Sequence, residues 1–124
     1  MPIGLSVAFG GALGALARYG LDRLIERRSA SLFPWSTFTI NVTGCLLVGL
    51  VVGALVDRHH APAWIRSALV LGFCGAYTTF STFAQETLDL VEARDYAIAL
   101  ASVSASVVVG MAAVVAGNGL GRLL

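Results

Sequence analysis

The sequence predicts an all-α integral membrane protein of four transmembrane helices, the third of them broken mid-span. Three observations lead there. The chain has 124 residues, of which 57% are hydrophobic and 12% charged; a soluble domain is about half apolar and about one quarter charged. Its charges are excluded from four windows, 3–17, 32–56, 67–85 and 96–121, and about 20 mainly apolar residues cross a hydrocarbon core as a helix. In the middle of the third window, glycines and β-branched residues, all poor helix formers, cluster together.

The windows are apolar on every face, whereas helices of a soluble bundle keep a polar outer face. Mean hydropathy is +0.84. Eight basic residues, all of them Arg, against seven acidic ones leave a net charge of +1, without the basic surplus of a nucleic-acid-binding protein. A cleaved signal peptide is not expected, because Met1-Pro2-Ile3 has no basic region and further apolar spans follow. Cys45 and Cys74 lie inside apolar windows, as buried and inert thiols do, and have no His at metal-ligand spacing. Neither a disulfide nor an enzyme's nucleophile–base pair is implied.

One domain, 1–124, is expected, with spans at about 3–24, 34–56, 63–91 and 96–121. The first window is short, and Tyr19, Gly20 and Leu21 extend it if Arg18 reaches water or a polar interior. Asp22, Arg23, Glu26, Arg27 and Arg28 form its charged tail, followed by the polar link Ser29-Ala30-Ser31. Pro34 suits the first turn of helix two and Pro62 the start of helix three, where a missing N–H costs nothing. Between them, 57–62 reads as a charged turn with His59 and His60 solvated. Glu92-Ala93-Arg94-Asp95 connects to helix four, which ends near Gly117-Asn118-Gly119 and Arg122.

With four spans, Arg23, Arg27, Arg28 and Arg94, joined by Arg18 if it is interfacial, fall on one side. The N-terminus, Arg58, Arg66 and Arg122 fall on the other. The positive-inside rule needs an imbalance to choose an orientation, and this near-balance is compatible with insertion both ways. Gly10 with Gly14, and Gly49 with Gly53, give the GxxxG spacing that lets helix backbones approach closely in lipid. Four helices this rich in small residues enclose little volume, so any pathway is expected to need a second subunit.

Polar groups inside a bilayer are costly and usually functional. Thr37, Asn41 and Gly44 share one face of helix two. Asn41 can donate and accept, in an interhelical bond or along a polar path. Ser102, Ser106 and Gly110 share a face of helix four, although Ser hydroxyls also bond to their own helix carbonyls. Helix three carries Gly75-Ala76-Tyr77-Thr78-Thr79-Phe80-Ser81-Thr82-Phe83 at its centre. A break near Gly75 to Thr79 frees carbonyls for a cation and N–H groups for an anion, and is tolerated only where it is buried or lines a cavity. Phe80 and Phe83 share a face, either as packed bulk or with their positive ring edges turned to a small anion. Weak binding at several places is what conduction requires.

Three ordered motifs resemble the CrcB/Fluc family of fluoride ion channels, and the resemblance covers the whole chain. They are Gly10-Gly11-Ala12-Leu13-Gly14-Ala15-Leu16-Ala17-Arg18-Tyr19, the stretch from Pro34 to Gly44, and Gly75 to Phe83. The resemblance implies an antiparallel, dual-topology homodimer in the cell membrane, with two fluoride pores at the subunit interface. It implies that Phe80 and Phe83 line the pores, with Asn41, Thr37, Thr79 and Ser81 along the path and Ser106 and Ser102 continuing it on helix four. It further implies Arg18 at the vestibule, a structural Na⁺ on the two-fold axis held by the carbonyls of Gly75 and Thr78, and a place for Glu86 near the path. Ser36 and Ala76 stand where the family pattern leads one to expect Gly, and a Tyr is expected near Ser102.

Two other functions are compatible with small helical membrane proteins. A proton-coupled four-helix exporter needs an intramembrane carboxylate, typically in its first helix, and 3–17 contains none. A non-transporting scaffold accounts for the small residues but not for Asn41 or the threonine cluster.

Overall fold

The computed structural model describes residues 1–56 and 61–124. Of the charged turn read at 57–62, only Ala61 and Pro62 fall within the described residues, and His59 and His60 do not. Among the described residues all regular structure is helical. Helix α1 is Ile3–Glu26. Helix α2 is Trp35–Val51, continued in a wider i→i+5 winding over Val52–Val56. Helix α3 begins as Ala63–Ser67, takes the same wide winding through Ala68–Cys74 and closes with Gly75–Tyr77. Two extended residues then separate it from α4, Phe80–Glu92, and α5 is Tyr96–Gly121.

Among the described residues, three stretches are long and apolar enough to cross a membrane: Trp35–Leu55, Ala63–Glu92 and Tyr96–Gly121. Pro34 and Pro62 each sit one position ahead of their helix, at the cap and not in the first turn. The molecule is apolar on the outside and keeps polar side chains within. Leu5, Phe9 and Leu16 of α1 and Leu100, Met111 and Val115 of α5 are exposed, while Ser6, Ser36, Thr37, Thr79 and Ser102 are buried. Water would penalise such a surface and hydrocarbon does not.

Glycines decide which helices meet. Gly49 and Gly53 of α2 lie against the backbone of Val114 and Asn118, and Gly117 and Gly121 of α5 lie reciprocally against Leu46 and Leu50. A Cβ on any of these four would strike a carbonyl oxygen of the facing helix. Gly10 and Gly14 of α1 meet Ala68 and Phe73 in the wide winding of α3. From the other side, a Cβ on Gly72 would lie 2.7 Å from the Val7 carbonyl oxygen. The two GxxxG pairs therefore seat separate helix pairs, α1 on α3 and α2 on α5, at backbone contact.

The turn from α4 to α5 closes α4 with paired reverse bonds. Asp95 N–H donates to the Leu90 carbonyl at 2.9 Å and Arg94 N–H to that of Val91 at 3.0 Å. This Schellman arrangement needs a left-handed residue after the helix, and Arg94 supplies it with φ 64°.

Candidate functional site

The interruption of the 63–92 stretch lies at Thr78 and Thr79, which are extended at φ −78°, ψ 160° and φ −147°, ψ 113°. Helical bonding persists up to Thr78, whose N–H donates to the Cys74 carbonyl at 3.1 Å and whose hydroxyl donates to the same oxygen at 3.0 Å. The Thr79 N–H, which an unbroken helix would give to Gly75, goes to Asn41 Oδ1 at 2.8 Å. Asn41 Nδ2 donates back to the Thr79 carbonyl at 3.0 Å. One side-chain amide thus answers both main-chain groups of one residue, as a neighbouring β-strand would. The Gly75 carbonyl is left without its helical donor.

Thr79 also caps α4. Its hydroxyl accepts the Thr82 N–H at 3.3 Å and donates to Thr82 Oγ1 at 2.9 Å. A Thr cap satisfies one of the orphan N–H groups at a helix start. Upstream, the Tyr77 hydroxyl lies 2.8 Å from Thr43 Oγ1, which itself donates to the Thr39 carbonyl at 2.7 Å. Gly44 makes room for this anchor, since a Cβ there would lie 3.2 Å from the Tyr77 ring.

Two cavities flank the break, and Thr79 lines both. One, of about 330 Å³, is bounded by Asn41, Gly44, Cys45, Gly75, Thr78 and Phe80 among others. The second, of about 190 Å³, is bounded by Arg18, Asp22, Thr37, Thr79 and Thr82 among others. Phe80 is 80% exposed, and its ring centroid lies 5.8 Å from that of Phe83, the planes tilted by 43°. The arrangement is an apolar-walled opening with hydroxyls, freed carbonyls and ring edges, and one cation nearby.

The model of the family described as "CrcB-like protein, Camphor Resistance (CrcB)" matches residues 5–118. The chain belongs to the CrcB family. It is 44% identical over 124 residues to the "Fluoride-specific ion channel FluC 1" of Nitrobacter hamburgensis, covering 97% of this chain and 95% of that one. It is 48% identical over 120 residues to the "Fluoride-specific ion channel FluC" of Acidobacterium capsulatum, covering 95% and 94%. It is 38% identical over 120 residues to the protein of the same name from Maridesulfovibrio salexigens, covering 97% and 95%. Family membership and the three apolar stretches make this CrcB chain a multi-pass cell-membrane protein.

Within this CrcB fold, Asn41, Gly75, Thr78, Thr79 and Phe80 come together at the first cavity, and Arg18, Thr37 and Thr79 at the second. Thr37 shares a face with Asn41 but serves a different partner, donating to Glu86 Oε1 at 2.8 Å. Glu86 is thereby tied to the entrance of α2, and its Oε2 is buried without a partner among the described residues. Ser81 is exposed and lines neither cavity. Ser102 is buried and Ser106 half-buried, and neither lines these cavities. Their face of α5 turns towards α2, for a Cβ on Gly110 would sit 3.4 Å from Cys45 Sγ.

Sequence reasoning missed Thr43, Tyr77, Thr82 and the contact of Ser36 with Asp22. For Tyr77 a signal existed: a Tyr in mid-span needs a partner for its hydroxyl.

Proposed function

We propose that this chain is a fluoride-selective ion channel through which cytoplasmic fluoride leaves passively, down its own gradient. The relatives' names carry the choice of ion. The observation that carries the channel reading is a helix broken inside an apolar stretch, with Thr79 latched by Asn41 and Phe80 standing open beside it. Fluoride is small and strongly hydrated, so a path must replace water with donors that do not hold it tightly. Threonine and serine hydroxyls, the Asn41 amide and the positive edges of Phe80 and Phe83 offer that in series. In this reading Asn41, Thr37, Thr79 and Ser81 serve the path, Ser106 and Ser102 extend it, and Arg18 draws the anion in. Glu86 shapes its mouth through Thr37.

The functional unit in this reading is an antiparallel homodimer of four-span subunits with two pores, in which α1 is the fourth span. Three features support it: arginines nearly balanced between the two sides, exposure of Gly75 and Phe80 on the subunit surface, and interior helix pairs packed too tightly to enclose a path. A structural Na⁺ on the two-fold axis fits the donors at the break. The Gly75 carbonyl has lost its helical N–H, and Thr82 N–H, which would serve the Thr78 carbonyl, goes to the Thr79 hydroxyl. Neutral carbonyl oxygens suit a hard cation, and two chains would bring four. The ion would supply positive charge that holds the two breaks together.

The test is fluoride release from liposomes carrying the purified protein, read with a fluoride electrode, with chloride release run alongside. Rapid fluoride release with little chloride release is expected. Well-folded protein that releases no fluoride would overturn the function and leave the fold standing.

A further inference from the structure

At the first turn of α2, two adjacent hydroxyls each hold a carboxylate from another helix. Thr37 donates to Glu86 of α4, and Ser36 Oγ donates to Asp22 Oδ1 of α1. The second bond bears on Arg18. Arg18 and Asp22 are four residues apart on α1, so they share a face. Both line the cavity of about 190 Å³ that also reaches Thr37, Thr79 and Thr82. Opposite charges at that spacing ordinarily pair. Here they do not: among the described residues Arg18 makes no hydrogen bond or ion pair.

The geometry accounts for the missing pair. Ser36 is buried, so its hydroxyl gives Asp22 a charge-assisted bond sheltered from water. That bond lies at the start of α2, where unsatisfied N–H groups and the helix dipole favour negative charge. With Oδ1 held there, Asp22 has less to gain from a guanidinium. An unpaired Arg18 keeps its full charge in the cavity and concentrates anions in it, whereas a neutralised one does not.

We infer that Ser36 is a positioning residue: its Oγ holds the Asp22 carboxylate against the start of α2 and so keeps Arg18 available to an entering anion. The inference rests on the channel reading. It assigns Ser36 a role at the mouth of the path, distinct from that of any group along it.

The experiment is a double-mutant cycle in the liposome assay, measured at low and at high fluoride. Ser36→Ala releases Asp22 to pair with Arg18, and flux at low fluoride falls about twofold, the loss expected when one pair forms at that helical spacing. At high fluoride the loss is smaller, because entry no longer limits flux. Asp22→Asn in the Ser36→Ala background removes the competing charge and restores flux at low fluoride. Ser36→Thr keeps the hydroxyl and behaves as the unmodified protein does. A conducting wild type whose flux is unmoved by Ser36→Ala overturns this inference alone. So does a Ser36→Ala loss that Asp22→Asn does not rescue, since the defect is then structural. If Ser36→Ala does not fold, Asp22→Asn alone decides, with flux at low fluoride at or above wild type expected and a fall overturning the inference. A wild type that releases no fluoride overturns the channel reading and this inference together.

Discussion

Asn41 does what no other side chain of its size can do, which is to present a donor and an acceptor at the spacing of a peptide group. Asn41→Ala leaves the Thr79 N–H and carbonyl without partners in a site that is buried, at about 1–3 kcal/mol for each group. We expect the variant to unfold at lower temperature in detergent and to lose fluoride flux at least tenfold, about the effect of 1.4 kcal/mol on a conducting conformation. Asn41→Asp retains the acceptor but not the donor, so it is expected to fall at or below Asn41→Ala in thermal stability. Phe80 makes a different prediction because it is exposed and carries little packing. Phe80→Ile removes the ring edge while keeping an apolar side chain of similar reach. Severe loss of fluoride flux with an unchanged assembly on size-exclusion chromatography is expected, and unchanged flux would undo the ring-edge assignment.

Among the elements, the turn at Arg94 and the glycine contacts invite opposite experiments. Arg94→Gly relieves a left-handed conformation that costs an L-residue about 1 kcal/mol, and is expected to raise the thermal midpoint without touching flux. Gly117→Val drives a side chain into the Leu46 carbonyl of α2. Overpacking of that kind costs about 1–3 kcal/mol or more, and loss of folded protein from the membrane is the expected readout. The helices themselves were legible, because exclusion of charge from 32–56, 67–85 and 96–121 is a direct imprint of hydrocarbon. The break was legible to within Gly75–Thr79, since glycine and threonine cluster there, but its exact residue was not. Gly75 continues the helix and Thr78 ends it because the deciding partner, Asn41, comes from another helix. Tyr77 with Thr43, Thr37 with Glu86 and Ser36 with Asp22 were hidden for the same reason. The GxxxG pairs announced close packing without saying which helix each would meet.

For the whole molecule, the near-balance of arginines makes orientation an observable. With Cys45 and Cys74 replaced by Ala, a cysteine introduced at Ser29 should react with a membrane-impermeant maleimide in about half of the chains, as expected when neither side has enough positive charge to win. Labelling of nearly all or nearly none would show a single orientation and overturn the antiparallel assembly. The CrcB family match extends from residue 5 to residue 118, across every helix and through the break. That breadth gives the latch at Thr79 an evolutionary consequence. Asn41 binds main-chain atoms, which every amino acid possesses, so the latch constrains position 41 tightly and asks nothing of the side chain at 79. Covariation reports contacts only where two side chains must change together. Across CrcB sequences the contact between Asn41 and Thr79 should therefore leave almost no statistical coupling, and maps of coevolving residues should pass over the bond that holds the break open.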